Sequence, residues 1–154
     1  MGSITTAFPT SEKLELATAT HNFTITTGNV FKVALIIPSP AGTYGAATTN
    51  YSDLTGNSDE VPNGSGYTTG GFPFTAAQNI TPQTSGTTSF WQWSVNPSWT
   101  SATFNTAGCI IYNSSASNKA VYVGSFGGTI SVSAGTLTLT MPTNDSSTGL
   151  LRIG

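Results

Sequence analysis

The chain carries one histidine, His21, and one cysteine, Cys109, so any nucleophilic or metal chemistry must be built on these two and on six carboxylates. A serine hydrolase needs a base beside its nucleophile and an acid that orients the base. His21 is the sole candidate base, and no Gly-x-Ser-x-Gly elbow occurs. Its neighbours Thr20, Asn22 and Phe23 read instead as a histidine fixed by local hydrogen bonds near a helix end. Cys109 lies in Gly108-Cys109-Ile110-Ile111-Tyr112, where an apolar strand disfavours the thiolate and the residue serves as a small hydrophobe. A single cysteine also excludes an intramolecular disulfide. Glycosidases place two carboxylates across the scissile bond, yet Asp53, Asp59 and Glu60 share one stretch and Asp145 lies in another. The first three are the nearest approach to a calcium loop, without EF-hand spacing. One His and one Cys make no zinc set. Gly64-Ser65-Gly66 and Gly70-Gly71 precede no helical pattern and read as turns. The expectation is a protein that is not an enzyme and needs no cofactor.

Trp91, Trp93 and Trp99 have three readings. They fill a core, anchor a subunit interface, or form a platform for sugar. The spacing Trp91-x-Trp93 sets two rings on one strand face.

Charge narrows the partners. Only 6% of residues are Asp, Glu, Lys or Arg, against roughly 25% in an ordinary soluble domain. Thr, Ser, Asn and Gly supply the polar surface, which gives little repulsion between neighbouring copies. The four basic residues, Lys13, Lys32, Lys119 and Arg152, are scattered, so no phosphate-binding cluster forms and nucleic acid is not an expected direct partner. No stretch approaches the ~18 apolar residues of a membrane helix, and the N-terminus shows no basic-then-apolar leader. No membrane association is expected.

The elements that position these residues follow from periodicity. Residues 1–9 read as an extended N-terminal arm with apolar Ile4, Ala7 and Phe8, closed by Pro9, and residues 10–154 as a single β domain. The arm lacks a core pattern, so its loss is expected to affect attachment more than folding. Thr10 or Ser11 caps a short helix over Glu12–Thr20, with Glu12 and Glu15 near its positive end. Val30–Ile37 is a strand with Phe31, Val33, Leu35 and Ile37 on the core face and Lys32 and Ala34 outward. Ser39–Gly71 is a long Gly/Asn/Ser/Thr-rich loop, and loops of that length are functional or pairing surfaces. Phe72–Ala77 reads as an edge strand because Pro73 lacks an N–H. Further strands are expected over Thr87–Val95, Trp99–Asn105, Gly108–Tyr112 and Lys119–Phe126, the last two flanking a turn at Asn113–Asn118, with a hairpin signal at Gly127-Gly128. In Thr136–Met141, Leu137, Leu139 and Met141 alternate inward. Short strands with regular turn signals give an all-β class: an antiparallel sandwich or jelly-roll-like barrel with the arm and one short N-terminal helix.

Several phrases follow one another along the chain. They are Thr18-Ala19-Thr20-His21-Asn22-Phe23, Val30-Phe31-Lys32-Val33-Ala34-Leu35, Glu60-Val61 with Asn63-Gly64-Ser65-Gly66-Tyr67-Thr68-Thr69-Gly70-Gly71, and Ile111-Tyr112-Asn113-Ser114-Ser115. Asn118-Lys119-Ala120-Val121, Phe126-Gly127, Ala134-Gly135-Thr136 and Leu150-Leu151-Arg152-Ile153 complete them. This order resembles a family of small structural proteins encoded by tailed bacteriophages and prophages, from about Pro9 to Ile153. The chain departs from it over Phe72–Val95, which is more aromatic and proline-containing.

The resemblance implies a virion protein made in the bacterial host cytoplasm. Its first implication is a capsid decoration (cement) protein on the outer surface of the expanded head, bound to the major capsid protein and to itself as a homotrimer. A partner that binds only the expanded lattice stabilises it by mass action, with on the order of 1,000 Å² buried per specific contact. The candidate partner contacts are Ile4 and Phe8 of the arm, Tyr44, Tyr51 and Tyr67 of the long loop, and Trp91 and Trp93. The alternatives are a phage tail subunit and a glycan- or receptor-binding β module that uses Trp91 and Trp93.

Overall fold

The computed structural model describes all 154 residues. Ten elements follow one another: α1 (Thr10–Ala17), β1 (Phe31–Ile36), α2 (Tyr51–Gly56), β2 (Phe72–Phe74), a 3-10 turn (Ala76–Gln78), β3 (Gln83–Ser85), β4 (Thr88–Trp91), β5 (Ser98–Asn113), β6 (Lys119–Thr138) and β7 (Leu151–Ile153). They form two antiparallel sheets, β2-β1-β5-β6 and β3-β4-β7. The all-β class, the single short N-terminal helix and the sandwich arrangement agree with the periodicity. So does β2, which closes one edge of the larger sheet and carries Pro73 opposite Lys32.

The larger sheet is buried on both faces. On one face Phe31, Val33 and Leu35 of β1 and Cys109 and Ile111 of β5 join Phe23, Trp91, Trp93, Trp99 and Leu151 in the main core. On the other, Ala34, Ile36, Ile110, Tyr112, Ala120 and Val123 pack beneath Tyr44 and Leu54 of the long loop, with Ile4 and Tyr51 at the margin. Ala34, expected to look outward, is therefore fully buried. A period of two finds one buried face and says nothing of a cover laid over the other.

β5 and β6 are longer than the patterns predict. Trp99–Asn105 and Gly108–Tyr112 belong to one 16-residue strand, and β6 runs for 20 residues through Gly127-Gly128 without reversing. Thr106 pairs with Ile130 and Gly108 with Ser125, so Phe126–Thr129 bulges out opposite Ala107 alone. The glycines make a bulge where a hairpin was expected. The turn expected between Gly108–Tyr112 and Lys119–Phe126 is the hairpin that joins β5 to β6, at Ser114–Asn118, where Ser117 and Asn118 take left-handed φ of 52° and 60°.

The arm is stitched into the domain. Gly2 N–H donates to Pro40 O, Thr5 N–H to Tyr44 O, and Tyr44 N–H to Ser3 O, while Ala7 and Val123 exchange both backbone bonds at 2.9 and 3.0 Å. Gly108 must be glycine beneath it, since a Cβ there would lie 2.9 Å from Ile4 Cγ2 and 2.6 Å from Gly124 O. The arm, read as lacking a core pattern, is held to the domain by these backbone bonds and by Ile4 and Phe8, which pack against the two cores.

Candidate functional site

The chain's one histidine sits in a buried cluster that its sequence neighbours build. Glu12 and Glu15 are three residues apart on α1 and so share a face. The helix starts directly after Pro9 with no side-chain cap, one to two residues earlier than the Thr10 or Ser11 cap predicts, and stops at Ala17. Ala19 then turns left-handed (φ 54°) and Thr20 N–H bonds back to Glu15 O at 2.9 Å. That reversal lays His21 over both acids. His21 Nε2 lies 2.6 Å from Glu12 Oε2 and 2.8 Å from Glu15 Oε2, and Lys119 Nζ donates to Glu15 Oε1 at 2.6 Å.

The other ring nitrogen fixes the tautomer. Asn113 Oδ1 accepts from Ser115 N–H, and its Nδ2 donates to Asn29 Oδ1, which itself accepts from Asn22 N–H. Thus oriented, Nδ2 donates to His21 Nδ1 at 2.8 Å. A proton on Nδ1 would meet those amide hydrogens, so the neutral Nε2–H form fits. Its hydrogen points at Glu15, and Glu12, fully buried, keeps both oxygens without a hydrogen bond. Burial raises the Glu12 carboxyl above its ordinary range despite His21. Burial also pushes Glu15 up, but the Lys119 ammonium and the His21 N–H outweigh it and hold Glu15 below that range. For His21, burial lowers the pKa, and the two carboxylates outweigh it and raise it; the Asn113 contact resists the second proton that they favour.

Glu12, Glu15 and His21 bring three ligand-type atoms within 4.8 Å of one another. The surrounding bonds oppose a cation there. Nε2 must carry hydrogen while Nδ1 accepts, and Lys119 already occupies Glu15. The cluster reads as a proton-sharing clamp that ties α1 to the β5–β6 hairpin. Sequence reasoning placed the two acids at the helix dipole and the histidine in local hydrogen bonds; the i, i+3 spacing was the signal that joins them.

The long loop is organised by carboxylates that accept bonds from inside it. Asp59, buried, takes Ala41 N–H at 2.9 Å, Gly42 N–H at 2.8 Å and the Tyr44 hydroxyl at 2.6 Å. Glu60 takes the hydroxyls of Tyr51 (2.5 Å) and Tyr67 (2.7 Å) and Gly70 N–H (2.7 Å). Asp53 closes a capping box with Asn50 at the start of α2. These three carboxylates point into separate networks, so the calcium-loop reading does not hold. Burial and the facing carboxylates push Tyr44, Tyr51 and Tyr67 far above the ordinary phenol range.

The partner-contact candidates are mostly inside the subunit. Tyr44, Tyr67, Trp91 and Trp93 are buried, while Ile4, Phe8 and Tyr51 are half-buried against the two cores. Trp93 stacks on Phe74 at 4.9 Å and meets Phe31 edge-on at 5.2 Å, so the tryptophans follow the core reading. Cys109 is also interior, and burial pushes its thiol up to about 12. Both nitrogens of His21 face other groups, which leaves no Cys109–His21 dyad.

No family model matches the chain, and neither a curated protein nor a solved structure is similar to it.

Asp145 completes the inventory by accepting Ser147 and Thr148 N–H, both at 2.7 Å. Five of the six carboxylates thus accept hydrogen bonds from groups of the same chain, and the sixth, Glu12, is fully buried beside His21. What the molecule presents outward is Ser, Thr, Asn and Gly, with Lys13 among few free charges.

Proposed function

We propose that this chain is a structural protein of a tailed-phage virion, a capsid decoration subunit that stabilises the expanded head by protein–protein contact. The observation that carries this reading is that five carboxylates accept hydrogen bonds within the chain and the sixth, Glu12, is fully buried, which leaves a polar but nearly uncharged exterior. Interface centres are depleted in charge, and copies with such a surface crowd a lattice without like-charge cost. The order of sequence phrases supplies the choice of virion over other assemblies. Burial of Trp91 and Trp93 leaves the glycan-binding alternative without an aromatic face.

The test is binding of the purified full chain to expanded and unexpanded shells, read by co-sedimentation and by the temperature at which shells burst. Saturable binding to expanded shells, with a burst temperature that rises with added protein as mass action requires, is the expected result. Failure to bind either form overturns the reading, and rings or tubes of pure protein would favour a tail subunit instead.

A further inference from the structure

β6 is an edge strand of the larger sheet, and only its first part is covered. Ala120 N–H bonds to Thr49 O, Ala7 and Val123 exchange backbone bonds, and Ser125 N–H reaches Thr6 Oγ1. From Thr129 to Ser133 the backbone bonds to nothing except β5, where Thr106, Asn105 and Phe104 face Ile130, Ser131 and Val132. Natural edges are guarded by lysine, proline or bulges. This stretch contains neither charge nor proline. The bulge at Phe126–Thr129 and the left-handed Ala134 (φ 47°) lie at either end and leave Ile130–Val132, in regular register with β5 and centred on Ser131.

We propose that this edge pairs, antiparallel and about a two-fold axis through Ser131, with the same edge of a second copy of the chain. Pairing about the centre sets Ser131 opposite Ser131 and Ile130 opposite Val132. Ile130 and Val132 share the side that packs on the main core with Phe104, so the joined sheet continues one apolar row, and β-branched cross-strand pairs stabilise it. Thr129, Ser131 and Ser133 stay exposed on the other side. A foreign partner would be selected by complementary charge, and this edge offers none; a second copy needs none. The contact is isologous and closes as a pair. Five residues span only about 17 Å, so pairing is weak in solution and strengthens where a surface concentrates the copies. Resting on the decoration reading, it would join one trimer to the next across the shell.

Hydrogen exchange of the Thr129–Ser133 amides in the full chain at low and high concentration tests this, with Ser131→Lys and Ser131→Glu as variants. Both replace an exposed side chain, and each alone sets like charges face to face. The wild type is expected to exchange at least about tenfold more slowly at high concentration. Each variant alone should lose that protection, and an equimolar mixture should regain it, with unchanged melting temperatures. Fast exchange under all conditions overturns the proposal, as does protection that both variants keep or a mixture that fails to recover. Shell binding separates the two readings. If S131K still binds shells without lateral cooperativity, both stand. Unchanged cooperativity overturns the edge contact alone. Edge pairing in a wild-type chain that never binds shells overturns decoration alone.

Discussion

Replacing Asp59 with Asn should destabilise the domain by about 2–4 kcal/mol at neutral pH. Asp59 is 2% exposed and holds three donors on two oxygens, Ala41 N–H on Oδ1 and Gly42 N–H with the Tyr44 hydroxyl on Oδ2. Asparagine offers one acceptor oxygen, and its amide must face at least one of those donors. An unsatisfied buried donor costs about 1–3 kcal/mol, and the surviving bonds lose charge assistance, roughly half their strength. In a chain of this length each kcal/mol moves Tm by about 2–4 °C, so a fall of roughly 5–15 °C follows. Burial by itself raises the Asp59 carboxyl, but the Tyr44 hydroxyl and the Ala41 and Gly42 N–H groups outweigh it and hold the pKa below its usual range. A depressed folded pKa contributes stability above the unfolded value, near ~3.9, that is lost as pH falls through the folded one. The gap between wild type and variant should therefore narrow on acidification below about pH 4. Urea unfolding followed by tryptophan fluorescence at neutral pH and in acid measures it. A loss under ~0.5 kcal/mol at neutral pH, or one undiminished in acid, refutes the reasoning.

Three further outcomes follow from the interior. Glu12→Gln should cost about 1 kcal/mol or less, since burial already favours the neutral acid there, whereas Glu15→Gln should cost about 1–3 kcal/mol through the lost acceptor for His21 and Lys119; urea midpoints in the reverse order would contradict the proton-sharing clamp. Trp93→Ala should cost about 3–5 kcal/mol in thermal unfolding, and Trp93→Phe far less, because the indole N–H has no acceptor to lose. Gly71→Ala should impair folding by more than ~3 kcal/mol, as its Cβ would lie 1.9 Å from Val33 O at a φ of +77°; a wild-type melting curve would show that the loop yields.

The apolar positions Phe31, Val33 and Leu35 were legible because a strand against one core repeats every two residues. Leu137, Leu139 and Met141 also pack inward, but the strand expected over Thr136–Met141 is the end of β6 and stops at Thr138. Pro73 marked its edge strand for want of an N–H. Other features depend on partners far along the chain. Ala34 is buried by residues of a loop that has no period of its own, and Gly127-Gly128 becomes a bulge only because β5 continues opposite it. The tyrosines of the long loop looked like surface anchors, but Glu60, nine residues from Tyr51 and seven from Tyr67, accepts both hydroxyls and draws them inward. α2 was the avoidable omission, since Asn50 and Asp53 spell a capping box. The clamp needed both the i, i+3 spacing of Glu12 and Glu15 and the backbone reversal at Ala19, and only the first is written in residue types.

The most direct test of a role in the virion is an electron-microscopy map of the purified particle. The expected result is density for this β-sandwich at regular sites on the outer face of the expanded shell, seated where capsid subunits meet. Particles whose shells lack it, with the chain absent from purified virions or confined to the tail, would contradict the account.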